Sequence, residues 1–356
     1  MISIEKLQAF LPDLSTAALI TSEINARYFT LFNYTDGAVL ITKHEAFLLC
    51  DFRYIEAAEK NASPDVTVVK FNKLYDTIND LILNKNIKSL MIEEESVTIS
   101  QLSQLKVKLN AELLTDSGLS EKIRAIRVIK TADEIAYITK AQRITERALT
   151  ELLNFVKPGV TEREMSVELE HLIHVYGGER IAFELITIAG ANTSLPHGVP
   201  GDYAVKDGDF FTFDTGSVYN GYHSDMTRTY AVGHATDKMR EIYDIVYRAH
   251  LKAAEKIVAG NTTADVDIAA RDYIESKGYG AYFGHSTGHG VGLEIHEDPR
   301  VYKTATTVLE DGMVITDEPG IYLPGEFGVR IEDMIVVSGD HSYTLADLPR
   351  ELTVIR

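Results

Sequence analysis

Short apolar runs and stretches of helical periodicity alternate through the first third of the chain. Residues 17–20, 38–41, 46–49, 66–69 and 90–92 are apolar or β-branched runs and read as strands. Residues 53–60, 74–83 and 100–109 carry helical spacing. This mixture implies a small α/β domain. It holds no cluster of His, Asp and Glu of ligand type, so its expected role is structural or substrate-restricting. A charged stretch, Ser120-Glu121-Lys122-Ile123-Arg124, then leads to Thr131-Ala132-Asp133-Glu134. That tetrad is a capping box and opens an amphipathic helix to about residue 153. Lys157-Pro158-Gly159 ends it, and Thr161-Glu162-Arg163-Glu164 starts another that stops at Gly177-Gly178. The expected domains are residues 1–122 and 123–356.

The second domain repeats itself. Gly159, Thr161, Ile173 and Gly177 match Gly260, Thr262, Ile274 and Gly278 at an offset of 101. Asp207-Gly208, Thr212 and Gly216 match Asp311-Gly312, Thr316 and Gly320 at an offset of 104, which sets Asp214 on Glu318. Gly221 and Asp225 then fall on Gly328 and Glu332 at an offset of 107. Acid falls on acid twice, in order. Each half offers two acids from neighbouring strands, and an internal pseudo-twofold follows. His289 has only a loose counterpart, His197, at an offset of 92.

Those four carboxylates and His289 read as a two-metal site. Asp214 and Asp225 flank Tyr219-Asn220-Gly221, which suits adjacent antiparallel strands joined by a tight turn. His289 lies in Gly288-His289-Gly290-Val291-Gly292, and Glu318 precedes Pro319, which favours an extended backbone. Glu332 sits in a β-branched run, 329–337, expected to be one strand. So many acids in one cavity repel unless cations neutralise them. The bridging acids are expected to be Asp225 and Glu332, with Asp214 completing one ion's shell and His289 and Glu318 the other's. Oxygen-rich ligation with one imidazole favours manganese, with cobalt or zinc as alternatives. His285-Ser286-Thr287-Gly288-His289 lacks the glutamate of a zincin motif. His197, His285 and His296 stand near glycine or proline in the same half, and a neutral imidazole donates well to a developing oxyanion. His296 follows a Val291-Leu293-Ile295 alternation and is expected to face substrate rather than the ions. Arg330 is placed to hold a carboxylate bidentately. His171, His174, His223, His234, His250 and His341 read as ordinary. Protonation of His289 or of a ligand carboxylate ejects metal, so activity is expected near or above neutral pH.

Composition narrows the partners. The formal net charge is −18, against a nucleic-acid binder, which needs a basic face. Forty-five per cent hydrophobic and 25% charged residues are ordinary globular usage. The one cysteine, Cys50, cannot form an internal disulfide and reads as a buried strand residue. The first residues lack the pattern of a secretory signal, and no apolar run is long enough to span a membrane. A cytoplasmic location is the expectation.

At this point the residues carry a resemblance. From about residue 125 onward the chain resembles the catalytic domain of the pita-bread metallopeptidases, nearest the Xaa-Pro branch of aminopeptidase P and prolidase. The pattern D-x-G-x-x-x-x-G-Y-x-S-D-x-T-R-T is met in full by Asp214 to Thr229, and G-H-G-V-G, E-P-G-I-Y and V-R-I-E-D are met too. Residues 1–122 resemble the creatinase-type N-terminal α/β domain of that branch, and Asp51-Phe52-Arg53-Tyr54 with Ala57-Ala58 looks like a segment of aminopeptidase P relatives. The implied fold is an α/β domain followed by an α+β pita-bread domain. The implied cofactors are two divalent ions on Asp214, Asp225, His289, Glu318 and Glu332. By the same resemblance His197 and His296 contact the scissile carbonyl and the proline side, His285 lines a proline pocket, and Arg330 supports the site. The implied reaction is hydrolysis of the bond before proline by a hydroxide held between the ions, with Glu318 passing the proton to the leaving nitrogen. The substrate is a peptide with proline second, cut as by aminopeptidase P. The alternative is an Xaa-Pro dipeptidase, in which Arg300 binds the terminal carboxylate. An inactive binding scaffold is a remote third reading, since such scaffolds lose ligands. A homodimer is the expected assembly.

Overall fold

The structure, a computed structural model, describes residues 2–355, of Ile2 the backbone alone, and counts and absences below are of those residues. The chain divides into two compact units, Met1–Arg127 and Val128–Arg356.

The first unit is a six-stranded mixed sheet in the order Thr67–Lys70, Ala46–Cys50, Ala38–Ile41, Thr16–Ile20, Ser89–Ile92, Glu112–Leu114. The three strands from Thr16–Ile20 to Ala46–Cys50 are buried along their whole length, as continuous apolar runs require. Cys50 is buried among them. The helices Glu23–Thr30 and Leu119–Val128 carry no local signal strong enough to be expected. Ser22 caps the first locally, accepting from Asn25 N–H at 3.4 Å, and both N-termini are also held from a distance. Glu93 accepts from Thr21 N–H at 2.6 Å and Ser22 N–H at 2.9 Å, and Glu94 accepts from Leu119 N–H at 3.2 Å and Ser120 N–H at 3.0 Å. Two adjacent glutamates past one strand thus satisfy the orphan donors of two helices. The boundary expected near residue 123 falls inside Leu119–Val128. Arg127 Nη1 donates to Asn25 at 2.8 Å, which ties that helix to the first unit.

In the second unit the expected capping boxes form at Thr131 and Thr161, and again at Thr262. The repeat is visible in the backbone. Gly159 and Gly260 have φ of 97° and 93°, Gly177 and Gly278 of 96° and 85°, and Gly208 and Gly312 both of 86°. Left-handed φ at matched positions is a demand that only glycine meets cheaply, which is why glycines carry the identities. Helices Ala132–Leu152 and Glu162–Val175 cover one sheet. Its order is Val354–Ile355, Met226–Val232, Phe210–Thr215, Ile186–Ala189. Helices Asp237–Ala254 and Thr263–Ser276 cover the other. It runs Glu297–Val301, Gly288–Gly290, Val314–Asp317, Asp333–Ser338, His341–Thr344.

Alternation along the strands sends the acids away from the helices. Phe211, Phe213 and Met226 pack with Leu149, Met165 and Leu169 of the first helix pair, so Asp214 and Asp225, of opposite parity, take the other face. Ile315 and Ile335 pack with Val246 and Ala270 of the second pair. Glu318 and Glu332 therefore take the site face, and Asp317 and Asp333 the helix face. Asp317 pairs with Asp333 in register, whereas Asp214 pairs with Thr227, two residues past Asp225. A two-residue difference between the halves keeps every side chain on its face.

The expected turn is present. Asn220 and Gly221, with φ of 47° and 78°, join Ser217–Tyr219 to Tyr222–His223 as a two-residue hairpin. Two expectations are corrected. The run 329–337 is two strands, Phe327–Arg330 and Asp333–Ser338, broken at Ile331-Glu332. There Glu332 N–H donates to Thr227 O at 3.1 Å, across to the other half. The Val291-Leu293-Ile295 alternation is a run of bends, and strand resumes at Glu297. No helix is long and apolar enough to cross a membrane.

Candidate metal centre

All ten residues singled out in the sequence line one cavity of about 430 Å³: Asp214, Asp225, His289, Glu318, Glu332, His197, His285, His296, Arg300 and Arg330. Asp225, His289 and Glu332 form the tight group, with one ligand atom each within 4.8 Å of the others. His289 Nε2 stands 3.5 Å from Asp225 Oδ2 and 3.7 Å from Glu318 Oε1. Asp214 stands slightly apart in its contacts. Its Oδ2 accepts from Arg330 Nη2 at 2.6 Å, while its Oδ1 is buried without a partner.

The donor set fits divalent ions on two observations. The first is the state of His289. Its Nδ1 lies 3.0 Å from Gly290 O, and a carbonyl only accepts, so Nδ1 carries the proton and Nε2 offers a lone pair. Burial drives its pKa down to about 3, so that lone pair is bare at neutral pH. It faces carboxylate oxygens that are also electron-rich, an arrangement that a cation between them stabilises. The second is the acids' own repulsion. Burial, with the charges of Asp214 and Glu318, pushes Asp225 well above the carboxylate range, and burial with Asp225 does the same to Glu332. Burial raises Glu318 to about 8, Asp214 adding to the rise and Arg330 opposing it.

These directions give a prediction. Carboxyls with raised pKa hold protons in the ion-free site, and a cation must displace them. Metal uptake at about pH 7 is expected to release protons, and affinity to fall as pH drops from about 8 to about 6. Calorimetry in buffers of different ionisation heat measures both. Binding with no proton release and no pH dependence would contradict it. His289, already neutral, is not the acid-side limit; the carboxylates are.

Arg330 is the site's organiser. It is buried, and besides Asp214 it donates to Thr227 Oγ1 at 3.1 Å, Pro196 O at 3.3 Å and the Tyr322 hydroxyl at 2.8 Å. Tyr322 in turn lies 2.9 Å from His285 Nε2, whose Nδ1 donates to Ser286 O at 2.8 Å. Burial, with Arg330 adding to it, lowers His285 to about 4, so the ring is neutral. Thr227 Oγ1 donates to Glu332 Oε2 at 2.7 Å. Tyr322 and Thr227 were not anticipated, though both stand inside the motifs that carried the resemblance. His197, His296 and Arg300 are exposed on the cavity wall, and the His296 ring lies 4.4 Å edge-on from His289.

His250, read as ordinary, stays out of the cavity wall but anchors a buried ion network. It is buried on helix Asp237–Ala254, with Nδ1 3.0 Å from Asp317 Oδ2 and Nε2 3.2 Å from Asp333 Oδ2. Its partners lie 67 and 83 residues away, beyond any local signal. Arg228 joins them. It donates to Asp333 Oδ1 at 2.7 Å and to Glu332 O at 2.7 Å. The groups beside the two glutamates are thus locked by a buried ion network behind the site.

Comparison with known proteins agrees with this geometry. Residues 136–339 match the description of metallopeptidase family M24, and residues 4–129 that of the creatinase/prolidase N-terminal domain. A solved Xaa-Pro dipeptidase from Bacillus anthracis is 42% identical, with a TM-score of 0.94 and 99% of each chain covered. The solved X-Pro aminopeptidase of Thermotoga maritima MSB8 is 33% identical, with a TM-score of 0.90 over 96% of this chain and 97% of that one. The Xaa-Pro dipeptidase of Pyrococcus furiosus is 38% identical over 98% of this chain and 99% of its own. A family match spanning most of the second unit, with relatives alike from end to end, means that the chain belongs to metallopeptidase family M24.

Proposed function

We propose that this enzyme holds two divalent ions, manganese by preference, on Asp214, Asp225, His289, Glu318 and Glu332. With them it hydrolyses the bond before proline in peptides with proline second, releasing the N-terminal residue. The observation that carries the reading is the bare Nε2 of His289 facing carboxylates in a cavity that Arg330 organises. The Xaa-Pro bond is supported by the relatives, whose names share it. Manganese is supported by the oxygen-rich donor set.

Bound there, the ions polarise the scissile carbonyl and make water nucleophilic near neutral pH. The chain's own groups do the rest. Glu318, half-buried beside His289, takes the proton that the attacking water gives up and passes it to the leaving proline nitrogen. Arg330 fixes the orientation of Asp214. His285, with both nitrogens occupied, presents a neutral ring to the proline rather than a polar atom. His197 and His296 donate to the oxygen that gains charge. The proposed setting is the cytoplasm, where the buried Cys50 stays reduced. The proposed assembly is a homodimer, measured directly by solution mass.

A second reading, Xaa-Pro dipeptidase, is favoured by Arg300, which lines the same cavity opposite His289 in register. Its guanidinium suits a dipeptide's terminal carboxylate. Rates on Xaa-Pro and Xaa-Pro-Yaa separate the two. A preference for the dipeptide of about tenfold or more establishes the second reading. His296→Ala tests the site itself. It is expected to keep two ions per chain while kcat falls about 10²-fold or more, the size of losing one oxyanion donor. Loss of metal with activity makes His296 a ligand. A lower melting temperature with normal kcat makes it packing.

A further inference from the structure

His285 rides on an irregular stretch. Phe283 to Thr287 joins no strand or helix, and a Cβ at Gly284 would meet no atom within 4 Å. A glycine in open space resists little, so the backbone there must be held by something else. Helix Thr263–Ser276, behind the site, supplies the hold. Asp267 is buried on the face of that helix that carries Val266, Ala270 and Ile274, where a bare carboxylate is costly. Arg271, one turn on, answers it with two bonds of 2.8 Å, from Nε to Oδ2 and from Nη2 to Oδ1. The rest of the guanidinium reaches the irregular stretch. Nη1 donates to Phe283 O at 3.0 Å and Nη2 to His285 O at 2.8 Å, and the guanidinium carbon lies 4.3 Å from the centre of the Phe283 ring. Thr287 Oγ1 closes the clamp, donating to Asp267 Oδ1 at 2.7 Å. Thr287 O accepts from Glu318 N–H at 2.8 Å, so the clamp also reaches the backbone of a proposed ligand.

We propose that Arg271 and Asp267 are positioning residues for the proline side of the substrate, acting through His285 and touching no substrate themselves. The inference rests on the proposed role of His285 against proline. Neither Arg271 nor Asp267 lines the metal cavity, whereas His285 does. The His285 ring meets the Tyr322 hydroxyl at Nε2 and the Phe283 ring edge-on at 5.1 Å. One guanidinium holds the carbonyls of both Phe283 and His285, so a shift of that group moves the imidazole and the ring it packs on together. Arginine is needed here for its geometry as well as its charge. A lysine keeps a cation opposite Asp267, but as a point charge it cannot grip both carboxylate oxygens and two carbonyls at once.

The test is a double-mutant cycle of Arg271→Lys and His285→Ala. It reads kcat and KM on whichever of Xaa-Pro and Xaa-Pro-Yaa is cleaved better, with metal content and melting temperature on the same preparations. Arg271→Lys alone is expected to keep two ions per chain and to raise KM about tenfold, with kcat changed less. In the His285→Ala background the same substitution is expected to change KM by less than about twofold, because the group it positions is gone. Thr287→Val cuts the tie to Asp267 and leaves the ion pair whole. It is expected to raise KM in the same direction, and it serves where Arg271→Lys does not fold. Equal fold-changes in both backgrounds, or a lower melting temperature with KM unchanged in Arg271→Lys or Thr287→Val, overturn the proposal and leave the clamp a prop for the fold. Loss of an ion assigns the clamp to the Glu318 side and overturns it too. A His285→Ala variant with wild-type KM overturns the proline role of His285 and the proposal with it, while Xaa-Pro hydrolysis stands. A wild type that cleaves neither peptide overturns the Xaa-Pro reading as well.

Discussion

Asp225→Asn is expected to leave a folded chain that loses bound metal and about 10³-fold or more of kcat/KM, equivalent to several kcal/mol of charge stabilisation. The exchange is nearly isosteric, so the effect is electrostatic. Asp225 is 4% exposed and belongs to the tight group with His289 and Glu332, so no water stands in for the missing charge. A separate consequence distinguishes lost binding from lost folding. The ion-free wild type gathers acids that repel one another, and the amide removes part of that repulsion. The metal-free variant is therefore expected to melt no lower than the metal-free wild type. Metal analysis, turnover and melting of both forms check it. Two retained ions with near-normal turnover would remove Asp225 from the ligand set.

The second large effect lies behind the site. His250→Ala is expected to destabilise the second unit by about 3–5 kcal/mol, the range for stranding a buried charge. Burial alone would lower the pKa of His250, but the carboxylates of Asp317 and Asp333 outweigh it and raise it to about 9. Asp317 leans chiefly on that charge, with a smaller contribution from Arg350. Both of its carboxylate oxygens are buried and accept no hydrogen bond, the nearest N–H of His250 turning toward the Asp317 carbonyl at 3.3 Å. The charge contact with His250 at 3.0 Å is the largest balance to it. Because the folded value lies above the ordinary 6.5, this stabilisation is fully present below about pH 6.5 and is lost as pH rises through about 9. Wild-type stability should decline across that window, and the alanine variant should lack the decline. A variant that melts near the wild type and keeps the alkaline slope would show His250 to be uncharged.

The four acids and the histidine were legible because each announces itself locally. Glycines that need left-handed φ, a two-residue turn and β-branched neighbours mark the strands that carry them, and the duplication repeats several of the glycines. The strands of the first unit were legible for a similar reason, being apolar without interruption. What stayed hidden depends on partners far along the chain. Glu93 and Glu94 hold the starts of two helices, of which only the first has a local cap, Ser22. His250 draws its charge from two aspartates on distant strands. The break at Ile331-Glu332 is made by a hydrogen bond to Thr227, with no breaker residue between Val329 and Val337 to signal it. Tyr322 is an ordinary strand tyrosine until Arg330 and His285 meet at its hydroxyl.

The crossing of the two halves at Thr227 and Glu332 also bears on when the site comes into being. Within a half, the two acids are joined by a short hairpin and come together early and locally. Bringing the halves to each other closes a loop of 105 residues between Thr227 and Glu332. For a loop of about that length the entropic barrier is roughly 4 kcal/mol, and contacts of such separation form late. The ligand set is therefore among the last things the chain assembles. Neither half holds the tight group alone, since Asp225 comes from one and His289 and Glu332 from the other, so metal is expected to bind after the halves have met. It acts afterwards, as a latch on a chain that has already found its shape.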